Sequence, residues 1–147
     1  RKDHAEVVLE PTASVERASR QLRELPVGGK TPLGAGLLEA YRLLQRVCRK
    51  RPETRSLIVV ITDGRANQAI TAMTLEDEIA HISALLRERA GIDIMVIDTE
   101  EKDRFVTTNR AASIAAQLDA DYYTIDDLRA ETLAGLVMNK REISIGQ

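Results

Sequence analysis

Two short segments hold the residue types most suited to chemistry. Ile61-Thr62-Asp63-Gly64-Arg65-Ala66-Asn67 places a carboxylate directly after an apolar run, followed by a glycine. Gly28-Gly29-Lys30-Thr31-Pro32-Leu33 places a hydroxyl in a glycine-rich turn just before a helical pattern. In open α/β sheets, ligands bind outside the carboxyl ends of the strands. A carboxylate and a hydroxyl there are hard oxygen donors, suited to a hard cation. Each also has a plainer role. Asp63 can cap its own turn, and Thr31 can be an N-cap with Pro32 as the first helical residue.

Two other readings of these segments fail on spacing. Gly29-Lys30-Thr31 imitates the end of a phosphate-binding loop, but the place of that motif's first glycine holds Glu24. A helix rather than a strand is predicted to precede it, and Pro32 has no N–H to add to a phosphate cradle. Asp63 as a phosphoacceptor would need an acidic cluster after an earlier strand and a lysine closing a later one. The first is absent, and the later strand ends Ile97-Asp98-Thr99, with no lysine before Lys102. His4 and His81 show no metal-ligand spacing with each other or with Cys48, and both read as incidental.

The elements that must position these residues alternate between strand and helix. Residues 5–9 form a short strand candidate. Ser14 can cap a helix running to about Leu25, which Pro26, Gly28 and Gly29 end. After Pro32, Leu33, Leu37, Ala40, Tyr41, Leu44, Val47 and Cys48 recur at helical steps, and Pro52 stops the helix. Residues 57–61 (LIVVI) are continuously apolar and β-branched, which predicts a parallel strand buried on both faces, hence central. Thr74 can cap a helix with Glu76, Asp77 and Glu78 in its first turn and Arg87 and Arg89 in its last. Its buried stripe is Leu75, Ile79, Ile82 and Leu86. Residues 92–97 form a further parallel strand. A helix carrying Ala112, Ala115 and Leu118 follows, then a short strand at 121–124 and a last helix with Leu133, Leu136 and Val137. The order implies an α/β fold with an open, mostly parallel sheet and helices on both faces.

Composition narrows the function. The 147 residues suit one domain, and 44% apolar with 30% charged residues describes a globular chain. The core must be aliphatic, since there is no Trp and only one Phe. With 21 basic and 23 acidic residues the net charge is −2, too balanced for a nucleic-acid binder. The basic run Arg46, Arg49, Lys50 and Arg51 reads as a solvated helix end complementing the dipole. Cys48 is the only cysteine, so no internal disulfide forms, which fits a reducing compartment. No apolar stretch reaches membrane-spanning length.

Together, GGKTPLGAGLLEA around Thr31 and VVITDGRAN around Asp63 resemble the von Willebrand factor A (VWA) family in its magnesium-chelatase D-subunit form. VIDTE at 96–100 and DADYYTIDDL at 119–128 add to that resemblance, which covers nearly the whole chain. It implies a Rossmann-like sheet and a metal-ion-dependent adhesion site (MIDAS). In that site Thr31 and Asp63 are metal ligands for Mg²⁺, and one coordination position is left for a partner's carboxylate. The family's first motif, Asp-x-Ser-x-Ser, occurs nowhere in these residues. The resemblance therefore implies a single VWA-like domain over 1–147 without the family's first two strands and first helix. Metal binding in this chain should then be weak or absent.

By the same resemblance the chain is a non-catalytic part of an ATP-dependent chelatase, in the cytoplasm or plastid stroma. It would couple an AAA+ ATPase subunit to a porphyrin-binding subunit that inserts Mg²⁺ into protoporphyrin. Two alternatives stand beside this. One is a VWA domain of another AAA+-linked system, serving cobalt chelation or metalloenzyme maturation. The other is a nucleotide-binding α/β enzyme domain. An apolar strand at 57–61 without its sheet neighbours also implies self-association through an open edge.

Overall fold

The computed structural model describes residues 12–14, 16–17, 20, 32–64, 74–100, 109–130 and 135. The strand expected at 5–9, Thr31, the turn at 65–67 and the last helix's Leu133, Leu136 and Val137 lie outside these. Of the first expected helix, the start is described: Ser14 Oγ accepts the N–H of Arg17 at 3.2 Å, the bond of an N-cap.

Helix α1 spans Leu33–Lys50. Pro32 occupies the cap position, not the first helical position that the sequence suggests, so the helix begins one residue later, at Leu33. The helix buries Leu33, Gly34, Leu37 and Leu44. It ends in Arg49 and Lys50, whose charges meet the negative end of the helix dipole. Strand β1 is Ser56–Thr62. Helix α2, Leu75–Arg87, is capped as expected: Thr74 Oγ1 accepts the N–H of Asp77 at 3.2 Å and donates to Asp77 Oδ2 at 2.7 Å. Arg89 falls just beyond the helix, in the turn that leads to β2, Ile92–Asp98. Helix α3 is Arg110–Leu118, β3 is Asp121–Thr124 and α4 is Ile125–Ala130.

The described sheet is parallel in the order β1-β2-β3. One face carries Val60, Ile94 and Val96. Against it pack Leu33 and Leu37 of α1, Ile79, Ile82 and Leu86 of α2, and Ile114, Ala115 and Leu118 of α3. The other face holds a smaller cluster, Met95 and Ile97 with Leu57, Val59 and Tyr123 against them. The α2–α3 seam is tied by Ser83 Oγ, which donates to the Gln117 carbonyl at 2.8 Å.

One expectation is corrected. β1 is not the strand buried on both faces; that strand is β2, whose last five residues are all buried. Among the described residues β1 lies at the sheet's margin, with Val60 its only buried apolar side chain and Ile61 44% exposed. A run as apolar as LIVVI reflects a strand suited to two neighbours, whereas only β2 adjoins it among the described residues. This motivates a prediction. The 147-residue chain should associate through β1, because exposed apolar strand margins recruit other strands. Sedimentation should show more than one species; a single monomeric species that melts cooperatively would exclude this.

Candidate functional site

The two parallel pairings align the carboxyl ends of the strands. Thr62 stands opposite Asp98, and Asp98 opposite Thr124. All three side chains project from the face that packs against α1, α2 and α3, since residues two apart on a strand share a face. The same topology brings the N-termini of α1 and α2 to this edge. α1 leads into the start of β1, and α2 returns from its end.

Asp63 follows β1 directly and is half-buried. The turn that presents it is set locally. Thr62 Oγ1, buried, accepts the N–H of Gly64 at 3.1 Å. Gly64 has φ +73°, a left-handed conformation that glycine adopts without the Cβ penalty. The Thr62 carbonyl accepts the N–H of Thr99 at 3.0 Å, which holds the ends of β1 and β2 in step. The expected placement of Asp63 at the carboxyl edge is thus what the fold produces. Its distance to Thr31 is outside the described residues.

Sequence reasoning gave no role to Asp98. It is a buried carboxylate, 7% exposed, at the end of the central strand. Its Oδ1 accepts the N–H of Glu100 at 2.8 Å, and its Oδ2 accepts the Tyr122 hydroxyl at 2.5 Å. The signal was present: an acid at a strand's carboxyl end is the same clue that marks Asp63. At the neighbouring strand end, Asp127 Oδ2 accepts the N–H of Thr124 at 2.6 Å and its hydroxyl at 2.9 Å, which fixes the start of α4.

Tyr122 reports on this edge. Its phenol is pushed up from 10.0 to about 12, first by desolvation, then by its hydrogen bond to Asp98, then by the charges of Asp98, Glu100 and Asp127. The fold therefore favours the neutral phenol. That contribution is complete below about pH 10, the unfolded value, and is lost as pH rises through about 12. Ultraviolet titration should show one of the three tyrosines ionising near pH 12. In Tyr122→Phe the late step should vanish. A titration in which all three tyrosines ionise together near pH 10 would contradict the Tyr122–Asp98 bond.

Oxygen donors dominate this edge, which fits a hard ion such as Mg²⁺ in kind. Among the described residues no three His, Cys, Asp or Glu side chains converge as a cage. Hydroxyls and water would make up most of any shell around Asp63. Likewise, among the described residues no helix is long and apolar enough to cross a membrane.

An open parallel α/β sheet with this edge defines the class, and comparison with known proteins gives the family. The model of the von Willebrand factor type A domain matches residues 4–137, so the chain belongs to the VWA family. It is 33% identical over 135 residues to an uncharacterised protein of Methanocaldococcus jannaschii, covering 90% of this chain and 75% of that one. It is 32% identical over 144 residues to the magnesium-chelatase 67 kDa subunit of Chlorobaculum parvum, and 33% identical over 138 residues to the magnesium-chelatase 60 kDa subunit of Cereibacter sphaeroides. Those two alignments cover 90% of this chain but only 23% of each subunit. The chain is therefore a VWA domain homologous to less than a quarter of a magnesium-chelatase subunit. No solved structure matches it.

Proposed function

We propose that this domain is the metal-dependent docking module of a magnesium-chelatase D-like subunit, coupling an AAA+ ATPase to insertion of Mg²⁺ into protoporphyrin by a separate porphyrin-binding subunit. The observation that carries the reading is Asp63. It is a half-buried carboxylate set just past a strand by the Thr62–Gly64 turn, at the edge where this fold binds ligands. The relation to chelatase subunits at 32–33% identity supplies the context.

Asp63 and Thr31 would hold the ion, together with hydroxyls of the family's first motif, which these 147 residues do not contain. When bound, the ion supplies an incompletely neutralised positive charge that attracts a partner's carboxylate. The chain's own part is positional. β1 and β2 hold the edge in register, Gly64 lets the chain turn away, and Asp98 is kept out of the solvent by Tyr122 and the Glu100 amide. The domain itself performs no bond chemistry in this reading. A location in the cytoplasm, or in the stroma of a plastid, goes with it.

The test is docking of the full-length protein to its porphyrin-binding partner, with Mg²⁺ and after chelation, in wild type and Asp63→Asn. Docking that needs neither Mg²⁺ nor the Asp63 carboxylate would overturn the proposal.

A further inference from the structure

A continuous run of hydrogen bonds joins Tyr122 on β3 to the turn that presents Asp63. The Tyr122 hydroxyl donates to Asp98 Oδ2 at 2.5 Å. Asp98 Oδ1 accepts the N–H of Glu100 at 2.8 Å, which folds the chain over Thr99 as it leaves β2. The N–H of Thr99 donates to the Thr62 carbonyl at 3.0 Å. Thr62 closes the run, because its Oγ1 accepts the N–H of Gly64 at 3.1 Å. Asp63 lies between those last two residues. Asp98 and Thr62, partners in register, are both buried. A buried acceptor left without its donor loses the full value of its solvation, and a charged one loses most. Tyr122 and Glu100 therefore hold the Asp98 carboxylate, and it holds residues 98–100 in return.

From this run we infer that Asp98 and Tyr122 are a positioning pair for Asp63, and that they set the affinity of the docking site for Mg²⁺. Neither is a ligand in this scheme, since both Asp98 oxygens already accept bonds from the chain. The pair works through the backbone. It fixes the chain after β2, the Thr99 amide there fixes the Thr62 carbonyl, and Thr62 fixes the turn. A ligand held in place before the ion arrives binds it more tightly, because less order is imposed on binding. The inference rests on the adhesion-site reading proposed above, in which Asp63 is a ligand.

The test uses the full-length protein with Tyr122→Phe, Asp98→Ala, Asp98→Asn and, as a control, Tyr123→Phe. Amide hydrogen exchange over 62–64 and Mg²⁺ binding by calorimetry are read on each. Tyr122→Phe removes one hydroxyl from a side chain that is 38% exposed, so it opens no cavity in the core. It leaves Asp98 Oδ2 without its donor. Exchange over 62–64 should quicken. Mg²⁺ binding should weaken by about three- to ten-fold, below the roughly 10–100-fold loss typical when a partner bonds the ligand directly. Asp98→Ala should match or exceed this. Asp98→Asn loses the charge but keeps both contacts: its carbonyl oxygen accepts the Glu100 N–H, and its amide donates to the Tyr122 oxygen. It should recover most of the affinity that alanine loses. If Asp98→Ala does not fold, Asp98→Asn is compared with Tyr122→Phe and should bind more tightly. Tyr123→Phe alters the neighbouring phenol on the other face of the sheet and should change neither readout.

Wild-type exchange over 62–64 in Tyr122→Phe would overturn the inference. So would quicker exchange with wild-type Mg²⁺ affinity, which would leave the pair a brace for the strand ends only. So would an Asp98→Asn protein that loses as much affinity as Tyr122→Phe, since Asp98 would then act by its charge and not by its bonds. Asp63→Asn is the reference for the reading beneath. Mg²⁺ binding that Asp63→Asn does not weaken would sink the adhesion-site reading, and the inference with it. Where Asp63→Asn weakens binding and Tyr122→Phe does not, the reading stands and the inference alone falls.

Discussion

Replacing Asp63 with Asn in the full-length protein should abolish porphyrin metallation while leaving ATP hydrolysis by the associated ring largely intact. Asn keeps the size of Asp and one acceptor oxygen. The turn itself depends on the Thr62 hydroxyl bonded to the Gly64 amide and on the positive φ of Gly64, neither of which the substitution touches. What disappears is the charge. A Mg²⁺ shell built mostly from hydroxyls and water leans on its few carboxylates, so the ion is held less firmly and a bridging carboxylate loses its anchor. The ATPase is spared because Asp63 is assigned to the ion and not to a nucleotide. Thr31→Ala should act in the same direction more mildly, since water can replace a hydroxyl. Pro32 rather than Thr31 occupies the cap position of α1, so the loss of about 1 kcal/mol expected for a removed cap should not accompany it. Metallation and phosphate release are measured side by side on folded variants. Normal metallation by Asp63→Asn would reduce Asp63 to a turn residue.

The sequence was legible where one local rule decided the outcome. Thr74 caps α2, residues 121–124 form β3, and Asp63 stands at a strand's carboxyl end, each as the pattern requires. It was less legible where the answer depended on neighbours. LIVVI in β1 and IDIMVI in β2 look alike as apolar runs, and only the strand order shows that β2 is the enclosed one. Glu78 was read with Glu76 and Asp77 as a first-turn acid favouring the helix dipole. Its phase told more than its charge: it lies four residues before Ile82 and one before Ile79, on the stripe that faces the core. The position of Asp98 at a strand's carboxyl end was legible, but its bond to Tyr122 was not; that takes the β2–β3 register, which sets Tyr122 beside Val96 on the same face as Asp98.

Substituting Val96 with Asp should leave no folded protein, whereas Ile61→Asp on the same sheet should be tolerated. Val96 is 0% exposed, at the middle of the enclosed strand, between Val60 and Tyr122 in register and inside the cluster that joins all three longer helices. An unpaired carboxylate there costs several kcal/mol even after relaxation or protonation. That is on the order of the whole stability of a domain, about 5–15 kcal/mol. Ile61 is one strand over and 44% exposed, so a charge there keeps much of its water. Its cost should stay near that of other surface changes, within about 1 kcal/mol. The charge should also oppose association through β1, since like charges at a strand margin repel a second copy. Thermal melting by circular dichroism and sedimentation of the two variants measure both effects. A Val96→Asp protein that melts within a few degrees of wild type would contradict the packing of β2. An Ile61→Asp protein that fails to fold would show that β1 is covered more completely than its exposed isoleucine indicates.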